Sequence, residues 1–198
     1  MLDEDNQGYL YKTMLETYSS ASYIYETSKI YNSSTEYPQS SFAKNLKTIA
    51  DFIISGLKTR VYYSSLGGFD SHVNQLNSQD RLLRVYSEAI HALVQDLKKN
   101  NRFNDTLILT FSEFGRRVKQ NGSRGTDHGA ANNVTAIGGS LKKPGIYNEI
   151  PNLSDLDKNG DIKYSVDFRS IYASILHNWL DVNDQEILNT NFKNLGFI

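Results

Sequence analysis

Cysteine is missing from all 198 residues. Its absence excludes disulfide staples, thiolate metal ligands and a cysteine nucleophile, and leaves the redox compartment open. Basic charge is not in excess either, since 21 Lys and Arg face 22 Asp and Glu, for a formal net charge of -1. A broad footprint on nucleic acid or on an anionic membrane needs a basic surplus, so neither partner is expected. No run approaches the roughly 18 to 20 apolar residues that cross a bilayer. The opening MLDEDNQGYL is acidic and polar, unlike the apolar heart of a signal peptide. The expectation is a soluble chain, either cytoplasmic or extracytoplasmic after loss of a leader. Prolines number only three, and apolar residues make up 39%, an ordinary globular balance. That length suits one core, so residues 1–198 are expected to form a single domain.

What is present is a change of hydrophobic period along the chain. Leu10, Met14, Tyr18, Ala21 and Tyr25 share one helical stripe, and a polar loop follows from Ser28 to Ser41. Phe42, Leu46, Ile49, Ala50 and Ile53 mark a second helix, with Gly56 as its stop. TRVYYSSL, from Thr59 to Leu66, is β-branched and aromatic enough for a strand. A long helix from about Ser78 to Lys99 carries Leu82, Tyr86, Ala89, Ile90, Leu93 and Leu97. TLILTF, within Asp105 to Phe111, reads as a strand buried on both faces, and Asn133 to Ile137 as another. Between them, Ser112 to Asn133 is glycine-rich and charged and reads as loop, as does Leu141 to Lys163. Asp167 is placed to cap a final helix carrying Phe168, Ile171, Tyr172, Ile175 and Trp179. Such alternation predicts an α/β fold, a mostly parallel sheet with helices on both faces.

Ligands of parallel sheets bind beyond the carboxyl ends of the strands, and chemistry-bearing residues gather there. GGFDSH after the first proposed strand holds Asp70 and His72. SEFGRR after the second holds Glu113, Arg116 and Arg117, and GTDHG in the next loop holds Asp127 and His128. Two of only four histidines fall in these loops. Oxygen and nitrogen donors without thiolate suit a divalent zinc, manganese, magnesium or calcium ion. A neighbouring arginine fork suits phosphate or sulfate, and Arg116 is the better candidate to meet the oxyanion. Together these residues describe a metal-assisted site for a small phosphate or sulfate ester. Singly, each has a plainer reading: Asp70 as a turn cap, His72 as a surface residue, Glu113 as an ion-pair partner of Arg116 or Arg117. His91 and His177 lie on helices and read as structural.

GGFDSH, LILTFSEFGRR, NGSRGTDHGAA and VDFRSIYASILHNWL, in that order, resemble the DUF1501 family, sulfatase-like proteins of the alkaline phosphatase superfamily. The likeness is strongest over residues 37–182. It implies a parallel sheet flanked by helices and hydrolysis or transfer of phosphate or sulfate esters at a metal pair. It also implies that Asp70 and His72 are metal ligands, and it allows two alignments beyond them. In one, Asp127 and His128 are the superfamily's Asp-His ligand pair. In the other, Ser112 to Gly115 occupies that strand end, Phe114 stands where a ligand histidine would, and His128 is the later histidine. The superfamily carries its nucleophile near the N-terminus after a first strand, whereas here that region reads as helix. The chain therefore resembles the C-terminal part of a longer hydrolase-like domain, and the resemblance implies an incomplete catalyst or a binding module that performs no chemistry. An exposed sheet edge in such a piece would favour self-association.

Overall fold

Hydrophobic period and capping residues set the helices, and the computed structural model describes residues 4–198. Its helices are α1 (Glu4–Ser28), α2 (Ser41–Ile54), α3 (Gln75–Lys99), α4 (Phe168–Asn178) and α5 (Asp184–Leu188). The strands are β1 (Leu107–Thr110), β2 (Gly115–Gln120), β3 (Thr126–Gly129) and β4 (Thr135–Gly138). By internal contacts the chain divides into two compact units. One comprises the residues up to Leu66 with Leu83–Arg102, the other Gly67–Leu82 with Phe103–Ile198.

In the first unit, Ser40 opens α2 by accepting the Ala43 backbone N–H on its hydroxyl at 3.1 Å, a standard N-cap. Phe42, Ala43, Leu46 and Ala50 of α2 are buried, as are Ala89, Ile90, Ala92, Leu93 and Leu97 of α3. Most are positions the helical spacing selects, although Ala43 and Ala92 are not among them and the expected Ile49, Ile53 and Tyr86 are only half-buried. The expected stripe on α1 behaves differently: Leu10, Met14, Tyr18 and Tyr25 are all more than half exposed. TRVYYSSL keeps the side-chain alternation of a strand, with Tyr62, Ser64 and Leu66 half-buried and Val61 and Tyr63 outward. It joins no sheet among the described residues.

The same unit buries one carboxylate completely. Asp96 on α3 accepts hydrogen bonds from Tyr31 (3.2 Å), Thr35 (3.1 Å) and Tyr37 (3.0 Å) hydroxyls and from Asn100 Nδ2 (3.2 Å). Burial first, and then the Asp96 charge, push the Tyr37 phenol far above its ordinary value, so Tyr37 remains a donor. Asp51 adds a second anchor to this polar segment by accepting the Ser33 N–H at 2.8 Å. The stretch that reads as a loop is thus fastened from both helices.

The second unit corrects the expected sheet. Instead of a parallel sheet covered on both faces, it has two antiparallel pairs, β1 with β4 and β2 with β3. Leu107 pairs with Gly138 and Thr110 with Thr135. A parallel pair needs a crossover of a dozen or more residues, usually a helix. Between Thr110 and Thr135 the chain makes the β2–β3 hairpin and no helix, so the apolar run of β4 returns antiparallel to β1. The charged stretch expected to be loop is itself the hairpin. Gly115 and Gly129 face each other at its base, and a side chain at Gly115 would meet the Ala131 carbonyl oxygen at 1.6 Å.

Asp167 caps α4 as expected, accepting the Arg169 N–H at 2.9 Å and pairing with the Arg169 guanidinium. The Arg169 side chain and then its backbone N–H hold the Asp167 carboxyl below its ordinary value of 3.8. Backbone N–H groups of Asp161 and Asn159 do the same for Asp157. A carboxylate with a depressed folded value stabilises the fold above its unfolded value, and that contribution disappears as the pH falls through the folded value. The protein is therefore expected to lose stability as the pH drops below 3.8. In Asp167→Asn, which keeps the cap but cannot titrate, the acid-induced loss should be smaller, as read by urea midpoints at a series of acid pH values.

Candidate metal centre

Three separate pieces of the second unit build the site: the Gly67–Asn74 loop before α3, strand β3, and the turn of the β2–β3 hairpin. Arg116 and His128 stand opposite each other in the hairpin register. His128 points its Nε2 at Asp70 Oδ1, 2.8 Å away, and His72 brings its Nε2 to the same oxygen at 3.0 Å. The two imidazole rings are 4.9 Å apart, tilted by 32°. One ligand atom from each of Asp70, His72 and His128 lies within 4.8 Å of the others, and all three residues are exposed. Around a single divalent ion with bonds of about 2.0–2.2 Å, neighbouring ligand atoms sit roughly 3.0–3.5 Å apart. The two O–N separations are already close to that. With the imidazole nitrogens within 4.8 Å of each other, the three donors are of the kind and spacing that a small adjustment could bring onto one such ion.

Around this group a ring of polar contacts holds the pieces together. The Phe69 carbonyl, beside Asp70, accepts from Gln79 Nε2 on α3 at 3.2 Å and from Arg116 Nη2 at 2.5 Å. Arg116 Nη1 donates to the Thr126 carbonyl at 2.6 Å. Thr126 in turn donates its hydroxyl to Gln75 Oε1 at 2.8 Å. The N–H groups of Asn74 and Gln75 donate to the Ser123 and Arg124 carbonyls, both at 3.0 Å. On the other side, Phe114 stacks on His128 with ring centroids 3.8 Å apart and planes 7° from parallel. The Arg116 guanidinium lies over Phe114 at 5.0 Å, within cation–π range.

The hydrogen bond from His128, then that from His72, holds the Asp70 carboxyl below its ordinary value of 3.8. Asp127 is also held low, first by the Asn121 amide and then by His72. Its Oδ1 lies 3.5 Å from His72 Nδ1. Both carboxylates are thus available as anions, the form a cation requires.

A family model described as a protein of unknown function, DUF1501, matches residues 19–194. The chain belongs to the DUF1501 family. No curated protein and no solved structure matches it. Every residue of the site lies inside the stretch of this DUF1501 chain that the family covers.

Of the residues singled out in the sequence, the DUF1501 chain brings Asp70, His72 and His128 into one group, with Asp127 beside His72 on its outer side. Glu113 is exposed and stands outside the group. Arg116 is at the site, with its guanidinium engaged by two backbone carbonyls. Arg117 reaches away to the buried Asp161, Nε to Oδ1 at 3.2 Å. His91 is exposed on α3, and His177 is exposed with Nδ1 3.7 Å from Asp184 Oδ1. Asn121, Gln75, Gln79 and the stacking role of Phe114 had no counterpart in the sequence reading. One signal was present: Asn121-Gly122 is the dipeptide that marks tight hairpin turns, and it sits between the two strands it joins.

Proposed function

We propose that this DUF1501 chain binds one divalent metal ion through Asp70 Oδ1 and the Nε2 atoms of His72 and His128, and that the site serves hydrolysis of a small phosphate or sulfate ester. The observation that carries the reading is the approach of both imidazoles to a single carboxylate oxygen, at 2.8 and 3.0 Å. The reaction class rests on the resemblance of four ordered sequence blocks to sulfatase-like proteins of the alkaline phosphatase superfamily. Two imidazoles beside one carboxylate favour zinc or manganese over magnesium and calcium, which prefer oxygen ligands alone.

When bound, such an ion supplies Lewis-acid polarisation of an ester oxygen and a more acidic bound water. The remaining work belongs to the protein. Asp127, beside His72 Nδ1, favours the tautomer whose proton is on Nδ1, which frees the Nε2 lone pair. Phe114 fixes the plane of His128 by stacking. Arg116 holds the Asp70 loop through the Phe69 carbonyl, and its remaining N–H groups are candidate donors to an ester oxyanion. Phe114 carries no ligand atom, so these side chains suit one ion rather than a pair.

A second reading, metal or oxyanion binding without turnover, is favoured by Phe114 itself, which brings to the face of His128 a ring with no ligand atom. One experiment separates the two. Chelator-stripped protein is reloaded with zinc or manganese and assayed on an aryl phosphate and an aryl sulfate. Hydrolysis that needs the metal and is lost with chelator supports the hydrolase. Tight zinc binding with no turnover of either ester supports the binding module. If zinc and manganese fail to bind at all, the hydrolase and the metal-binding module both fall, and only an oxyanion-binding module is left, read by a shift of the melting temperature with inorganic phosphate.

A further inference from the structure

The hairpin turn that faces the Asp70 loop does more than reverse the chain. Asn121 uses every hydrogen-bonding position of its amide. Its Oδ1 accepts the backbone N–H groups of Ser123 at 2.9 Å and Gly125 at 3.0 Å. Its Nδ2 donates to the His72 carbonyl at 3.0 Å and to Asp127 Oδ1 at 3.3 Å. One side of the amide thus shapes the turn, and the other grips the residue that bears one imidazole and the carboxylate beside that imidazole. Gly125 completes the fit. A Cβ there would meet the His72 carbonyl oxygen at 2.1 Å and its carbonyl carbon at 2.4 Å, so the turn lies directly against the His72 backbone.

We infer that Asn121 is a positioning residue for the metal centre, holding His72 and Asp127 in register with Asp70 and His128. This inference rests on the metal-binding reading for its functional consequence, and on the hydrogen bonds alone for its structural one. The chemistry demands an amide. Aspartate at 121 could still accept from Ser123 and Gly125, so the turn would keep its shape. It could not donate to the His72 carbonyl, and it would set a second carboxylate against Asp127. Asn121→Asp therefore separates shaping the turn from positioning the site, which alanine, losing all four bonds, does not.

The test uses Asn121→Asp and Asn121→Ala beside the unaltered protein, with two readouts. The first is the imidazole nitrogen and proton resonances of the metal-free proteins, where only four histidines contribute. In Asn121→Asp the His72 signals are expected to move while those of His91 and His177 stay in place. The second is zinc titration by calorimetry, in which Asn121→Asp is expected to bind about 10- to 100-fold more weakly, the usual cost of losing an outer partner of a ligand. Unmoved His72 signals in Asn121→Asp overturn the inference, whatever zinc does. Zinc affinity within threefold of the unaltered protein overturns it as well, and leaves the metal centre standing. Where the unaltered protein takes up no zinc, the metal reading falls, and the resonances alone decide whether Asn121 positions His72. Should Asn121→Asp fail to fold, the same resonance shift is required of Asn121→Ala.

Discussion

Replacing His128 with alanine should weaken zinc binding by roughly 100-fold or more, exceeding the usual cost of altering an outer partner of a ligand. His128 supplies one of only three donor atoms in the group, and it is the one that reaches the site from a different part of the chain. The loss of its ring also removes the surface on which Phe114 stacks and one of the two hydrogen bonds to Asp70 Oδ1. Asp70→Ala should be at least as severe, because both imidazoles converge on the oxygen it removes. Glu113→Ala, outside the group, should bind zinc as the unaltered protein does. Calorimetric titration of the three variants checks this pattern. Equal zinc affinity in His128→Ala and the unaltered protein would mean that the ion, if any, is held elsewhere.

The second large effect is expected in the first unit, far from any question of catalysis. Asp96→Ala should destabilise the protein by about 2–4 kcal/mol, since hydrogen bonds to a charged acceptor contribute about 1.5–3 kcal/mol each and the stranded donors lose their partners. Part of that loss is offset, because a fully buried carboxylate is itself costly to desolvate. The donors nevertheless decide the sign: the hydroxyls of Tyr31, Thr35 and Tyr37 all lose the acceptor they converge on. Asp96→Asn keeps the shape and one acceptor oxygen, so it should cost less than half as much. Thermal unfolding reads the difference, with a fall of about 5–15 °C for the alanine variant at about 2–4 °C per kcal/mol for a chain of this size. A fall below about 2 °C would show that the loop from Tyr31 to Tyr37 is held by other means.

Helix positions were legible because their signals are local. Asp167 occupies the cap it was expected to fill, and most residues on the apolar spacing of α2 and α3 are buried. β1 and β4 were legible as extended apolar segments but not as partners, because period and composition do not state which edge a strand meets or in which direction. TRVYYSSL shows the limit most clearly: its side chains alternate as the pattern predicts, yet it joins no ladder. β2 and β3 escaped notice for the opposite reason. Their residues, GRRVKQ and TDHG, are polar, and their pairing is set by the turn at Asn121 and by close backbone approach at Gly115, not by an apolar face. On α1 the stripe is helical as read, but a helical period says nothing of what covers it.

By itself the sequence determined which donors could exist: no thiolate, four imidazoles, and a pair of loops rich in aspartate and glycine. It also placed Asp70 and His72 two residues apart, close enough to share an ion on any extended loop. Only the tertiary structure decided that His128 joins them while Glu113 does not, and that Asn121 spans the two loops. The physical reason is that coordination needs atoms within a few ångströms, whereas residues 70 and 128 are joined by a long covalent path that leaves their distance open. Hairpin register, the fit of Gly125 against His72 and the Arg116 contact with Phe69 close that distance, and each is a contact between segments remote in the chain.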